Sequence, residues 1–82
     1  MNKTDVFTLV VNHSREVVPE LEGHDFQRTD KLSELGANSV DRAEIMMMTM
    51  ESVSLRVPLL ELSGATNIGE LADLIYEKLS DA

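Results

Sequence analysis

The residue best placed to do chemistry is Ser39, in the stretch Leu35-Gly36-Ala37-Asn38-Ser39-Val40-Asp41. A serine nucleophile needs a base in reach and an oxyanion hole. The G-x-S-x-G elbow supplies these on a strand-to-helix turn. Here Ala37 and Asp41 stand at both glycine positions, and no strand pattern precedes the serine. His13 and His24 are the only histidines, and neither is near Ser39 in sequence. With scattered acids they show no zinc spacing, and no EF-hand loop is present. Catalysis by this chain is therefore not expected. A serine at a helix N-terminus has another use, because free backbone N–H groups and the helix dipole favour a phosphate there. A phosphodiester on Ser39 would sit in a suitable field. By position alone, an ordinary capping or first-turn serine is the simpler reading.

Ser39 is positioned by the elements around it. Asn38 is a good N-cap, and Asp41 and Glu44 fall in the first turns, where acids are favoured. That predicts a helix from Asn38 or Ser39 to about Val53, ahead of Pro58. An earlier helix is expected over residues 4 to 18. Thr4 would be its cap, Asp5 would lie in its first turn, and Pro19 would stop it. Its apolar rows are Val6, Val10, Ser14 and Val17, then Phe7, Val11 and Val18. Residues 19 to 38 form a long connection, which Leu21, Phe26, Leu32 and Leu35 should pin down, with a short turn of helix around Thr29 to Leu35. A last helix begins at Asn67, which has capping-box spacing to Glu70. Ile68, Leu71, Ala72, Ile75 and Leu79 give it a core face. No strand alternation appears. The fold class expected is all-α: a small bundle of three main helices, a short one near residues 60 to 65, and a long first loop.

The chain has 82 residues, so residues 1–82 are expected to form a single domain with one modest core and little room to sequester a ligand. Hydrophobic residues make up 43% of it and aromatics only 4%, leaving aliphatic and methionine side chains to fill the interior. Fifteen acids against seven basic residues give a net charge of −8. Such a surface repels nucleic acid and anionic membranes and favours partners with Lys and Arg patches. Cysteine is absent, which excludes disulfides and thiolate-bound metals. No apolar run reaches spanning length, and the first residues read as a helix rather than a signal peptide. A cytoplasmic monomer is expected.

In the second helix the acids set the orientation. Asp41, Glu44 and Glu51 should face solvent and Ile45, Met46, Thr49 and Val53 the core. Val40, Met47 and Met48 then lie on or beside the acidic side. Apolar residues among exposed acids look like a docking surface, and methionine suits one because it repacks against different partners. Cover by the long loop is an equal reading for Met48. Arg42 points nearer the core, where it could snorkel or pair with a carboxylate.

Leu35-Gly36-Ala37-Asn38-Ser39-Val40 resembles the LG-x-D-S-L motif of acyl carrier proteins. The resemblance extends to the long loop, the acidic second helix, Val57-Pro58 and the final amphipathic helix. It implies that Ser39 carries 4′-phosphopantetheine, installed from coenzyme A by a phosphopantetheinyl transferase, and that its thiol holds acyl groups as thioesters. It also implies partner recognition by Val40, Asp41, Glu44, Met47 and Glu51. Asn38 replaces the usual Asp, keeping the cap but removing a charge. Leu59-Leu60-Glu61-Leu62 is less acidic than in many members, implying a narrower, more apolar partner surface.

Asn38-Ser39-Val40-Asp41-Arg42-Ala43-Glu44-Ile45-Met46-Met47-Met48 and the segment from Gly64 to Leu79 are similar to the freestanding carriers of β-branching cassettes in bacterial polyketide assembly. That similarity implies malonyl loading by a malonyl acyltransferase and decarboxylation to acetyl by a ketosynthase-like enzyme. An enzyme like 3-hydroxy-3-methylglutaryl-CoA (HMG-CoA) synthase would then take the acetyl group. The alternatives are a general fatty-acid or polyketide carrier, a peptidyl or D-alanyl carrier, or an unmodified helical interaction domain.

Overall fold

A computed structural model describes residues 1–81. Three helices appear in it: α1 (Lys3–Val17), α2 (Ser39–Ser52) and α3 (Ile68–Ser80). Two 3-10 turns, Pro19–Leu21 and Leu59–Leu62, complete the regular structure, and there is no strand among the described residues.

Each helix starts the same way. Asn2, Asn38 and Asn67 are the N-caps, and each side chain accepts the N–H of an acid three residues on. In α1 and α2 the acid answers: Asp5 accepts from Asn2 N at 3.0 Å and Asp41 from Asn38 N at 3.2 Å. These are full capping boxes. The cap of α1 is therefore Asn2 rather than Thr4, because Asn2 pairs reciprocally with Asp5 and leaves Thr4 inside the first turn. In α3 the box is incomplete. Glu70 is one methylene longer and reaches back to Thr66, accepting from its N–H at 2.9 Å and its hydroxyl at 2.8 Å. Those two bonds hold the Glu70 carboxyl below its ordinary range.

Pro19 ends α1 as expected. α2 ends in a Schellman arrangement: Leu55 N–H bonds Met50 O at 2.9 Å and Ser54 N–H bonds Glu51 O at 3.1 Å. Ser54 takes the left-handed position, with φ 57°, where glycine is usual.

The core joins all three helices. Val6, Val10, Ile45, Ala72 and Ile75 are fully buried, and Leu62 and Ile68 nearly so. Buried Ser14 and Thr49 give their hydroxyl protons to the carbonyls four residues back, at 2.7 and 2.8 Å. Met50 is buried while Met46 and Val53 are only half-buried, so the inner face of α2 is rotated toward Met50 relative to the expected one. α1 packs against both α2 and α3, which meet each other little.

The first loop is pinned by Leu21 and Leu32, both buried, with Phe26 and Leu35 half-buried. The helix turn expected at residues 29 to 35 is shorter. Leu35 N–H bonds Lys31 O, then Ala37 N–H closes onto Leu32 O at 3.0 Å. Gly36, with φ 95°, makes that closure possible. The loop also carries a polar knot. Arg15 donates to His24 O at 3.0 Å and lies over the Phe26 ring, while His24 Nε2 meets Asp30 Oδ2 at 2.9 Å. The loop's far end docks on the start of α3: Gly69 N–H bonds Arg28 O and Ile68 N–H bonds Asp30 O, both at 2.9 Å.

Candidate functional site

Ser39 is the first residue of α2 and is exposed. Three features hold it there. Gly36 turns the chain, the Asn38–Asp41 box fixes the helix start, and Arg42 Nη1 donates to Ala37 O at 2.8 Å. Arg42 thus ties the preceding loop to the helix rather than pairing with a carboxylate. Among the described residues the N–H groups of Ser39 and Val40 have no protein acceptor. A phosphate on the Ser39 hydroxyl would find these amides and the positive end of the dipole. The residues therefore fit a phosphodiester.

The acidic side of α2 is as expected. Val40, Glu44, Met47 and Glu51 follow helical spacing along one stripe, and all four are exposed, Val40 by 71% and Met47 by 53%. Asp41 is half-buried and engaged in the cap, so less of its charge is presented. Met48 is half-buried beside the stripe. Leu60, exposed by 80%, is the most exposed large hydrophobic side chain of the described residues. Its pattern in sequence, one leucine among four residues with three, did not mark it out from its neighbours. Only the 3-10 turn turns Leu62 inward and Leu60 outward.

Two arrangements emerge that sequence spacing could not show. The first is a Ser–His–Glu contact: Ser52 Oγ lies 2.8 Å from His13 Nε2, and His13 Nδ1 lies 3.4 Å from Glu16 Oε1. It is not a nucleophile site. Met48 O, 3.0 Å from Ser52 Oγ, competes with the imidazole for the hydroxyl proton, and His13 Nδ1 has no hydrogen-bond partner to orient the ring. The serine also lies at the carbonyl end of α2, where the dipole opposes an oxyanion.

The second is a cavity of about 360 Å³ between α2, the start of α3 and the two connections that flank them. Leu32, Met46, Leu62, Ile68 and Leu71 give it apolar walls. Ser39, Arg42 and Met46 share one face of α2, so the serine stands one and two turns above residues that line the cavity. A small core had suggested little space for a ligand; α2 and α3, both packed on α1 and in little contact with each other, leave it. No group of residues that could hold a metal ion exists among the described residues, and no helix is long and apolar enough to cross a membrane.

Comparison with known proteins agrees with this geometry. Residues 15–75 match the family model described as "Phosphopantetheine attachment site". The chain is 51% identical over 82 residues to "Polyketide biosynthesis acyl-carrier-protein AcpK" of Bacillus subtilis (strain 168), covering all of both chains. A chain in the crystal structure of the curacin biosynthetic pathway HMG synthase in complex with acetyl donor-ACP superposes with a TM-score of 0.87 at 53% identity. That match covers 90% of this chain and 95% of the other. The chain belongs to the phosphopantetheine attachment family and is a polyketide acyl carrier protein, which holds its cargo on a covalent 4′-phosphopantetheine arm and leaves catalysis to the enzymes it visits.

Proposed function

We propose that Ser39 bears the arm, that residues 1–82 act as one carrier domain, and that the protein is the acetyl donor in polyketide β-branching. The observation that carries the donor role is the likeness, at 53% identity, to the chain in complex with an HMG synthase. The arm supplies a thiol on which acyl groups are held as thioesters. Ser39 supplies the exposed hydroxyl, and the Gly36 turn, the Asn38 cap and the Arg42–Ala37 clip hold it at the helix start. Val40, Glu44, Met47 and Glu51 form the docking stripe. The acids steer a basic partner surface, and the valine and methionine desolvate at its centre. This combination suits fast, transient encounters.

The cargo sequence is malonyl, then acetyl. A ketosynthase-like partner breaks the bond to the malonyl carboxylate. CO₂ leaves, the electron pair stays on the α-carbon, and a proton from water completes the acetyl group. An HMG-CoA synthase-like partner then takes the acetyl group and adds it to the β-ketone of an intermediate on a second carrier.

The test is intact mass after incubation with coenzyme A, Mg²⁺ and a phosphopantetheinyl transferase, beside Ser39→Ala. One phosphopantetheinyl group is gained, and the mutant gains none. Acetyl transfer from the loaded protein to an HMG-CoA synthase-like enzyme follows. Gain in the mutant would move the attachment site. Loading without acetyl transfer would reduce the role to a general polyketide carrier.

A further inference from the structure

The chain has five methionines and no cysteine, so thioethers are its only side-chain sulfurs. Four of them, Met46, Met47, Met48 and Met50, lie on α2. Successive residues of a helix are turned about 100° apart, so these four sulfurs meet different surroundings. Met50 is buried, and Met46 and Met48 are half-buried, Met46 at the cavity wall. Met47 alone among the four is exposed, by 53%, and it takes no part in the core. Met1 is exposed too, but it precedes α1 and lies off the α2 stripe. Glu44 is three residues before Met47 and Glu51 four after it, one helical turn away on either side. Neither acid enters an ion pair among the described residues. Their charges repel anionic oxidants and leave the sulfur open to a small neutral one.

We propose that Met47 is a redox modification site: oxidation by hydrogen peroxide to the sulfoxide withdraws the loaded carrier from its acetyl acceptor, and reduction returns it. The proposal rests on the docking role given above to the α2 stripe. In the oxidation a lone pair of the Met47 sulfur attacks one oxygen of peroxide. The S–O bond forms and the O–O bond breaks. The departing hydroxide takes the proton from the transferred oxygen and leaves as water. Sulfur loses two electrons and peroxide gains them. A flexible apolar side chain thereby becomes a polar one with a strong hydrogen-bond acceptor. A partner surface built to cover a thioether must then bury that oxygen unpaired, beside two carboxylates, so docking weakens. The fold is spared, because Met47 lies outside the core. With acetyl on the arm, the arm's sulfur is tied up as a thioester. Met47 is then the exposed thioether on the face presented to the enzyme.

Acetyl-loaded protein is treated with limiting hydrogen peroxide, the peroxide is removed with catalase, and retention of acetyl is confirmed by mass. Peptide mass mapping should place an oxygen on Met47 ahead of Met46, Met48 and Met50. Transfer to an untreated HMG-CoA synthase-like enzyme should then fall about tenfold, the scale of one unpaired polar group in an interface. Tm should stay within about 3 °C. A methionine sulfoxide reductase should restore transfer. Met47→Leu, whatever its own starting rate, should keep that rate through the peroxide treatment, although Met1 is still oxidised. Three results would overturn the proposal and leave the donor role intact: oxidation of another α2 methionine before Met47, full transfer by the Met47 sulfoxide, or a Met47→Leu protein that loses as much as the parent. No acetyl transfer before any peroxide is added would overturn both.

Discussion

Replacing Gly69 by alanine sets two effects against each other. Gly69 is the second residue of α3, and alanine there should gain up to about 1 kcal/mol from helix propensity. The structure opposes that gain. A Cβ at Gly69 would lie 2.8 Å from Arg28 Cβ and 2.8 Å from Arg28 O. Both atoms are fixed by the loop backbone, so no rotamer change relieves the overlap. Ordinary carbon contacts begin near about 3.5 Å, so the loop must retreat by about 0.7 Å or more. The bonds from Gly69 N to Arg28 O and Ile68 N to Asp30 O, each 2.9 Å, then stretch past useful length. Their loss costs about 1 kcal/mol each. The exposed pair from Arg28 to Asp73 at 2.6 Å loosens too, adding about 0.5 kcal/mol. The net is a destabilisation of about 1.5 kcal/mol, which lowers Tm by about 10 °C for a domain this size. Thermal unfolding followed by circular dichroism measures it. Arg28→Ala should not rescue the variant, because the colliding Cβ and carbonyl remain. A Gly69→Ala protein as stable as the parent would refute the close docking of the loop on α3.

Ser54→Gly should raise stability by about 1 kcal/mol, since the left-handed C-cap position then carries no Cβ; a lower urea midpoint would contradict the Schellman assignment. Asp30 is held below its ordinary carboxyl value of 3.8 first by the Gln27 amide and then by His24. Its contribution is therefore complete above about pH 4 and fades as pH falls through the lowered value. Asp30→Asn should flatten the acid limb of the stability curve, and an unchanged limb in urea titrations from about pH 5 to about pH 2 would refute the assignment. Glu44→Lys and Met47→Ala should each slow acetyl transfer to an HMG-CoA synthase-like partner while leaving Tm within about 3 °C, because both side chains are exposed. Normal transfer would remove them from the docking stripe.

Much of this protein is written locally in its sequence. The three helices, the stop at Pro19, the cap at Asn38 and the exposed stripe of α2 follow from residue spacing, because caps and helical periodicity act within a few residues. The motif around Ser39 is similarly local, and it pointed to the family that comparison then established. Asn2 as the first cap was legible too, through its spacing to Asp5, but Thr4 competes with it on propensity alone.

What tertiary structure decided lies between distant segments. The rotation that buries Met50 depends on how α2 settles on α1. Leu60 points outward only because the 3-10 turn spends Leu62 on the core. Gly69 looks like a weak helix residue until Arg28, forty-one positions away, is seen against it. The cavity exists because α2 and α3 both pack on α1 and touch each other little. Sequence sets the charge and periodicity of each helix by short-range rules. Packing three such helices around a shared core sets which of their charges meet, and where space is left between them.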